Sequence, residues 1–403
     1  MVYRLEQRRS LQLNDSLAGM IWFMTESAWA MGRGKPGVMD FALGNPQEMP
    51  IPGFAPALQR WSEPRSNDWF AYKLSEQKAQ DIAAASLRER TGVPFIPEDV
   101  AMTNGAFGAL SVALKTLTVP GDEVIFNLPP WMCYEMLTRE AGAVPVKVNV
   151  RPDDFDLDLD AMEAAITPAT RVVIVNSPHN PTGRIYPPET LAALADLLEE
   201  ASQANKRRIY LLSDEAYARI VFDGRRAASP SEFYAYSLVT YTWGKQLLTP
   251  GQRIGYLALS PNMPERVRQE LRRDIFLMQI ATGFAFPNAL LQHALEDLEQ
   301  LSIDVPHFQA RRDRMVAALH GIGYDVTEPE GTFYILATSP IPNDRQFADL
   351  LAARDVFVLP GEFCEIPGYF RISLTASDDM VERSLPHFQA VYEQCQPAEA
   401  RIA

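Results

Sequence analysis

Lys245 opens the segment Lys245-Gln-Leu-Leu-Thr-Pro-Gly-Gln-Arg253-Ile-Gly, which sets a guanidinium eight residues after an amine. Upstream stand Asn176-Ser-Pro-His-Asn180-Pro-Thr-Gly183 and Ser213-Asp214-Glu-Ala-Tyr217, and far downstream stands Phe370-Arg371-Ile-Ser-Leu. A lone lysine is most often a solvated charge. An amine, an acid, a phenol, an amide and two arginines in this order are a different matter. Together they can hold an anionic ligand and act on it as nucleophile, acid or base.

Such groups need elements that bring them to one place. Asp122-Glu-Val-Ile-Phe-Asn, Arg171-Val-Val-Ile-Val-Asn176 and Arg208-Ile-Tyr-Leu-Leu-Ser213 read as buried strands. Between the last two, the stretch from Pro188 repeats apolar residues at three- and four-residue steps, as a helix packed on one face requires. Strand, helix and strand in this rhythm predict a parallel sheet with crossover helices. Ligands of such sheets bind beyond the carboxyl ends of the strands, where Asn176, Asn180, Asp214 and Tyr217 fall. A second unit follows, with a helix over Val305 to His320, strands at Tyr324-Asp-Val and Phe333-Tyr-Ile-Leu, a helix over Phe347 to Ala353, and a strand at Phe370-Arg371-Ile-Ser-Leu. The expected fold is α/β: a large domain with a mostly parallel central sheet flanked by helices, plus a smaller α+β domain. The expected division is an N-terminal segment over 1–48 that packs with the small domain, a large domain over 49–287 and a small domain over 288–403.

Composition narrows the function classes. The 403 residues are 47% hydrophobic, enough for a large core and more than one average domain. The formal net charge of −14 argues against nucleic acid or an anionic membrane as partner. Cys133, Cys364 and Cys395 are too few and too scattered for a disulfide framework or a zinc cluster, and a reducing cytoplasm is expected. The N-terminus lacks the apolar core of a secretory signal, and no run approaches the ~18 apolar residues of a membrane helix. The five histidines lack metal-ligand spacing, so no catalytic metal is expected. Gly32-Arg-Gly34-Lys-Pro-Gly37 matches a dinucleotide pattern literally. It lacks the strand before it and the helix after it, so a nicotinamide or flavin site is not expected.

With Phe41-Ala-Leu-Gly44-Asn-Pro46, Glu330-Gly-Thr-Phe-Tyr334 and Val358-Leu-Pro360-Gly361 added, the chain resembles the fold-type I pyridoxal 5'-phosphate (PLP) enzymes. In particular it resembles the class I/II, aspartate aminotransferase-like enzymes, over nearly its whole length. The resemblance implies transfer of an amino group from an L-amino acid to a 2-oxo acid through a lysine aldimine and pyridoxamine phosphate. It implies that Lys245 forms the Schiff base and moves the Cα proton, and that Asp214 keeps the pyridine nitrogen protonated. Tyr217 and Asn180 would bond the ring's phenolic oxygen, and Trp131 would stack on the ring. Arg253, the amides of Gly105, Ala106 and Phe107, and the Thr242 hydroxyl would hold the phosphate. Tyr72 would be lent to a neighbouring subunit's phosphate, which makes a homodimer with interfacial sites the expected assembly. Arg371 would fork the substrate carboxylate, with Gly44, Asn180 and Trp131 beside it.

Two positions depart from the family pattern. Gln77 stands where a glycine commonly follows the cofactor tyrosine, and Gly244 precedes the lysine where many relatives carry a phosphate-binding serine. The set prepares a Cα carbanion without deciding its fate. A β-eliminating lyase, or an oxidase or cyclase on the same fold, is therefore the alternative. A catalytically silent PLP-binding regulator has little room here for a DNA-binding module. Met20–Met24 and Ile275–Ile280 are candidate pocket linings, and Gln279 at the centre of the second leans towards a neutral or aromatic amino donor.

Overall fold

The computed structural model describes residues 9–396. Its strands are β1 (Met39–Asp40), β2 (Val100–Thr103), β3 (Glu123–Leu128), β4 (Val144–Asn149), β5 (Thr170–Asn176) and β6 (Tyr210–Asp214). They continue with β7 (Ser237–Thr242), β8 (Gly255–Leu259), β9 (Tyr334–Thr338), β10 (Val356–Phe357), β11 (Leu359–Pro360) and β12 (Tyr369–Ser373). A seven-stranded sheet runs in the order β2-β8-β7-β6-β5-β3-β4. Only β8 runs opposite to the other six strands.

The central strands are apolar throughout because helices cover both faces. Alternate residues face opposite ways. Val172, Ile174 and Leu212 join the core under helix Gly105–Leu117, whereas Val173, Val175 and Leu211 join that under helix Pro188–Ala204. The expected crossover helix is therefore present, and its apolar spacing reflects Leu191, Leu194 and Leu198 packed on the sheet.

A three-stranded antiparallel sheet, β11-β12-β9, forms a second layer. Its core gathers Phe333, Ile335, Phe370 and Ile372 with Met315 and Leu319 of helix Val305–Ile322 and Phe388 of helix Asp378–Cys395. Phe41, just beyond β1, enters the same core, and β1 pairs in parallel with β10. The strand expected at Tyr324-Asp-Val does not form. Only a single bridge, Val326 to Ala337, remains there. Tyr324 is instead a core plug, with its ring against Phe347, Phe370 and Phe388 and its hydroxyl donating to the Phe388 carbonyl at 2.9 Å.

Helix Ala289–Leu298 packs on helices Phe54–Ser62 and Gln77–Thr91 and shares their core. A boundary at 287–288 would cut through that core, so the packing does not follow the expected boundary. Helix Val305–Ile322 is the first element after it to join the small core. The segment Gly32–Gly37 closes a five-residue helix, Ala28–Gly32, and leads into β1, so no phosphate-binding helix follows it.

Candidate active site

One edge of the large sheet collects the chemistry. Asn176, Asp214 and Thr242 are the last residues of β5, β6 and β7, and Lys245 sits one turn past β7 in the short helix Trp243–Gln246. Because β8 runs the other way, its amino end lies at the same edge and brings Arg253 there. These groups line a cavity of about 620 Å³ with Ala106, Phe107, Trp131, Asn180 and Tyr217.

The anion-binding end is built from a turn and a helix. Gly105 has φ +80°, and a Cβ on it would lie 2.6 Å from Arg253 Nη2, so only glycine lets the guanidinium come this close. Gly105, Ala106 and Phe107 open helix Gly105–Leu117, and Asn104 makes no side-chain cap there. Their amides are thus free for an anion. Arg253 donates to the Pro250 carbonyl at 2.7 Å and pairs with no carboxylate among the described residues. Partial burial, with no anion beside it, pushes its guanidinium below the usual range although the residue remains exposed. Thr242 accepts the Gly244 amide at 3.2 Å and donates to the Ile254 carbonyl at 3.1 Å. A side chain at Gly244 would press on Pro250 Cα at 3.3 Å and the Thr249 carbonyl at 3.4 Å, which accounts for glycine where serine is the common choice.

Asp214 is the carboxylate of the cavity. Tyr134 donates to its Oδ2 at 2.7 Å, the Ala216 amide reaches its Oδ1 at 3.4 Å, and Asn176 Nδ2 holds its carbonyl at 2.8 Å. Burial pushes its carboxyl above the usual range, while Tyr134, the Ala216 amide and Lys245 work against that shift. Lys245 Nζ lies 5.4 Å from the ring centre of Tyr217 and 5.5 Å from that of Phe333. Trp131 meets Phe107 and Tyr134 edge to face, at 5.1 and 5.4 Å.

The other end approaches the small sheet. Arg371 on β12 donates to Asn180 Oδ1 at 3.0 Å and to the Ala42 carbonyl at 3.2 Å, and its plane lies 3.9 Å over the Tyr334 ring. It is buried, it pairs with no carboxylate among the described residues, and its Nε has no partner. The Asn180 amide in turn donates to Asn176 Oδ1 at 2.8 Å. Tyr217 and Tyr334 bring their hydroxyls to 3.5 Å. A Cβ on Gly44 would lie 2.4 Å from the Tyr334 hydroxyl.

Two expectations fail, and a third, Tyr72, concerns another subunit's site. Tyr72 is 89% exposed, packs on Phe286 and lines no part of this cavity. Gln279 is buried and donates to the Met102 carbonyl at 2.8 Å, so it faces β2 rather than the cavity and says nothing of the donor. Neither Met20–Met24 nor Ile275–Ile280 lines the cavity; Phe284 does. Sequence reasoning also gave no role to Tyr134, Asn176 or Tyr334. Tyr134 follows Trp131 by three residues at a helix start, and nothing local marks it as a partner of Asp214.

A parallel-sheet edge that presents an amine, a supported carboxylate and an exposed guanidinium, with a buried guanidinium adjoining it and neither paired to a carboxylate among the described residues, suits a small anionic ligand. The chain belongs to the aminotransferase class I and II family, whose model matches residues 36–388. It is 32% identical to the aspartate/prephenate aminotransferase of Thermus thermophilus over 320 residues, covering 77% of this chain and 80% of that one. It is 31% identical to a probable aspartate/prephenate aminotransferase of Thermus aquaticus over 316 residues, with the same coverage. The crystal structure of an aminotransferase from Eubacterium rectale superposes with a TM-score of 0.87 at 28% identity, over 94% of this chain and 99% of that one. The chain is an aminotransferase, and these relatives do not favour the lyase, oxidase or cyclase alternatives.

Proposed function

We propose that the cavity holds pyridoxal 5'-phosphate and that the chain moves an amino group from an amino acid to a 2-oxo acid. The observation that carries this reading is charge placement. Arg253 lines the cavity with Lys245 and Asp214, Arg371 adjoins it through its bond to the lining Asn180, and neither guanidinium pairs with a carboxylate among the described residues. Arg253 and the free amides of helix Gly105–Leu117 suit a phosphate. Arg371 suits a carboxylate, and its unpartnered Nε leaves a donor unused.

When bound, the cofactor supplies an electrophilic carbon and a ring that accepts electrons. Lys245 Nζ is the amine that would hold that carbon and, when free, the base that would move the proton at the donor's Cα. Asp214, oriented by Tyr134 and Asn176, would hold a proton at the ring nitrogen. Tyr217 and Asn180 would donate to the ring's oxygen, and Trp131 would pack on the ring. Arg371 orients donor and acceptor by the carboxylate common to both, with Gly44 leaving room beside it.

We further propose a homodimer, because Tyr72 and Phe276 line one hollow on the surface, Phe286 touches Tyr72, and all three are exposed. Tyr72 is then available to a second copy's phosphate site. The division of the chain is proposed as 1–48, a large domain up to about residue 301, and a small domain from helix Val305–Ile322. A reducing cytoplasm suits the buried free thiols of Cys133 and Cys364, and no helix among the described residues is long and apolar enough to cross a membrane. Aspartate and prephenate, named for the Thermus relatives, are the first substrates to try. A donor added alone should release one equivalent of 2-oxo acid per site and then stop, and an oxo acid should restart the cycle. Continuous release of ammonia or uptake of oxygen without an acceptor would refute transamination.

A further inference from the structure

Behind the wall that carries Asp214 and Lys245 lies a second polar layer, built from their own chain neighbours. Glu215 follows Asp214 and Gln246 follows Lys245, and neither lines the cavity. Both are buried, and each is held by an arginine. Glu215 Oε2 lies 2.5 Å from Arg90 Nη1, while its Oε1 accepts Ser213 at 2.9 Å and Ser229 at 2.5 Å. Gln246 Oε1 accepts Arg219 at 3.0 Å and Tyr241 at 2.6 Å, and its Nε2 donates to the Leu301 carbonyl at 2.6 Å. Arg219 is itself clamped by Glu299 and Ser86. Ser86 and Arg90 are one turn apart on helix Gln77–Thr91, so a single helix reaches both sets.

We propose that this layer is a positioning device for the reaction: Arg90 acting through Glu215, and Arg219 acting through Gln246, hold the Asp214 carboxylate and the Lys245 amine in fixed relation across the cavity. The proposal rests on the cofactor reading above. Buried ion pairs are poor sources of stability compared with apolar packing, but removing one partner leaves an uncompensated buried charge. The turn after β6 is held by few backbone bonds, Glu215 to Thr240 at 3.0 Å and Ala218 to Glu215 at 3.0 Å among them. The side-chain bonds of Glu215 fix which way the strand end points.

Charge matters as well as geometry. Asp214 faces Tyr134, Tyr217, Lys245 and Glu215. Burial pushes its carboxyl up, and the neighbouring Glu215 anion adds to that. Glu215 faces Arg90, which has Tyr256 and Tyr241 near it, and those two rings stack on each other at 5.4 Å. Arg90 therefore cancels an anion that would otherwise oppose Asp214.

The test uses full-length protein as wild type, Glu215→Gln, Arg90→Met and the double variant. Three quantities are read: the PLP dissociation constant of the apo protein, the pH midpoint of the bound cofactor's visible band, and the thermal midpoint. Each single change is expected to weaken PLP binding about tenfold, in the range of coupled neighbouring sites. Glu215→Gln leaves an extra cation and should lower the pH midpoint; Arg90→Met leaves an extra anion and should raise it. The double variant should return both towards wild type. Single variants that lose thermal stability while keeping the wild-type dissociation constant and pH midpoint would overturn the proposal and leave a merely structural pair. A wild type that binds no PLP would overturn the cofactor reading as well, and is distinguished by needing no variant to see it.

Discussion

Tyr134→Phe isolates one bond on which Asp214 depends. The ring stays, and with it the edge contacts to Trp131 at 5.4 Å and Phe126 at 5.8 Å; only the hydroxyl that donates to Asp214 Oδ2 at 2.7 Å is lost. Burial pushes the Tyr134 phenol well up, so it keeps its proton and remains a donor at any working pH. A hydrogen bond to a charged group contributes roughly 1.5–3 kcal/mol, and each 1.4 kcal/mol is about tenfold. Without it the Asp214 carboxyl, already raised by burial, moves further up. The sign for the apo protein follows. A carboxyl whose folded pKa is raised binds more protons folded than unfolded, so stability falls as pH climbs from the ordinary carboxylate range through the folded value. The variant extends that fall to higher pH. In apo form it should lose more thermal stability at neutral pH than near pH 4. Its PLP affinity and its Cα-proton transfer rate should each drop about 10- to 100-fold. Titration of apo protein with PLP and single-turnover kinetics measure both. Binding and rate within about twofold of wild type would show that Tyr134 is packing alone.

Lys245→Ala should abolish turnover, and borohydride, which should fix the cofactor to the Lys245 peptide of the wild type, should leave no label there. Arg371→Ala should lower kcat/KM about a hundredfold or more for amino donors and oxo acceptors alike, since one fork serves both; loss in one half-reaction only would mean separate carboxylate sites. Gly105→Ala sets a Cβ at φ +80°, 2.6 Å from Arg253 Nη2, and should weaken PLP about tenfold or more while pyridoxal, which lacks the phosphate, is affected less.

The strand-end residues were legible because of how a buried parallel sheet is written. Strands covered on both faces read as unbroken apolar runs, and the first polar residue beyond such a run marks the carboxyl edge. Asn176 stands out for that reason after Val172–Val175, and Asp214 closes the next strand one residue after Ser213, the first polar residue beyond Tyr210–Leu212. Contacts between segments carry no such mark. The Tyr134–Asp214 bond joins the loop after β3 to the end of β6, across the intervening β5, and depends on the register of the whole sheet. Gln279 misled for a related reason. Its polarity is plain in the sequence, but Leu271 and Ile275, buried on the sheet, set the rotation of helix Glu265–Ala281 and turn Gln279 onto the Met102 carbonyl. Tyr324 lies in a strand-like alternation, yet a ring with core on three sides is worth more than the few ladder bonds a short strand would add.

Gly44 and Tyr334 show the same limit from the other side. Both lie in motifs that the sequence displays, and neither motif explains the other. The structure joins them, because the Tyr334 hydroxyl occupies the space a Cβ on Gly44 would need. Burial alone would raise the Tyr334 phenol, but Lys245 and Arg371 pull it below the usual range, with Tyr217 as its hydroxyl neighbour. Arg371 lies over the same ring. Tyr334 thus touches the arginine proposed for the carboxylate, the phenol proposed for the ring oxygen and the loop that carries Gly44. A side chain at Gly44 would displace that hydroxyl and disturb all three at once, so glycine there is required by packing against Tyr334 as much as by access for a substrate.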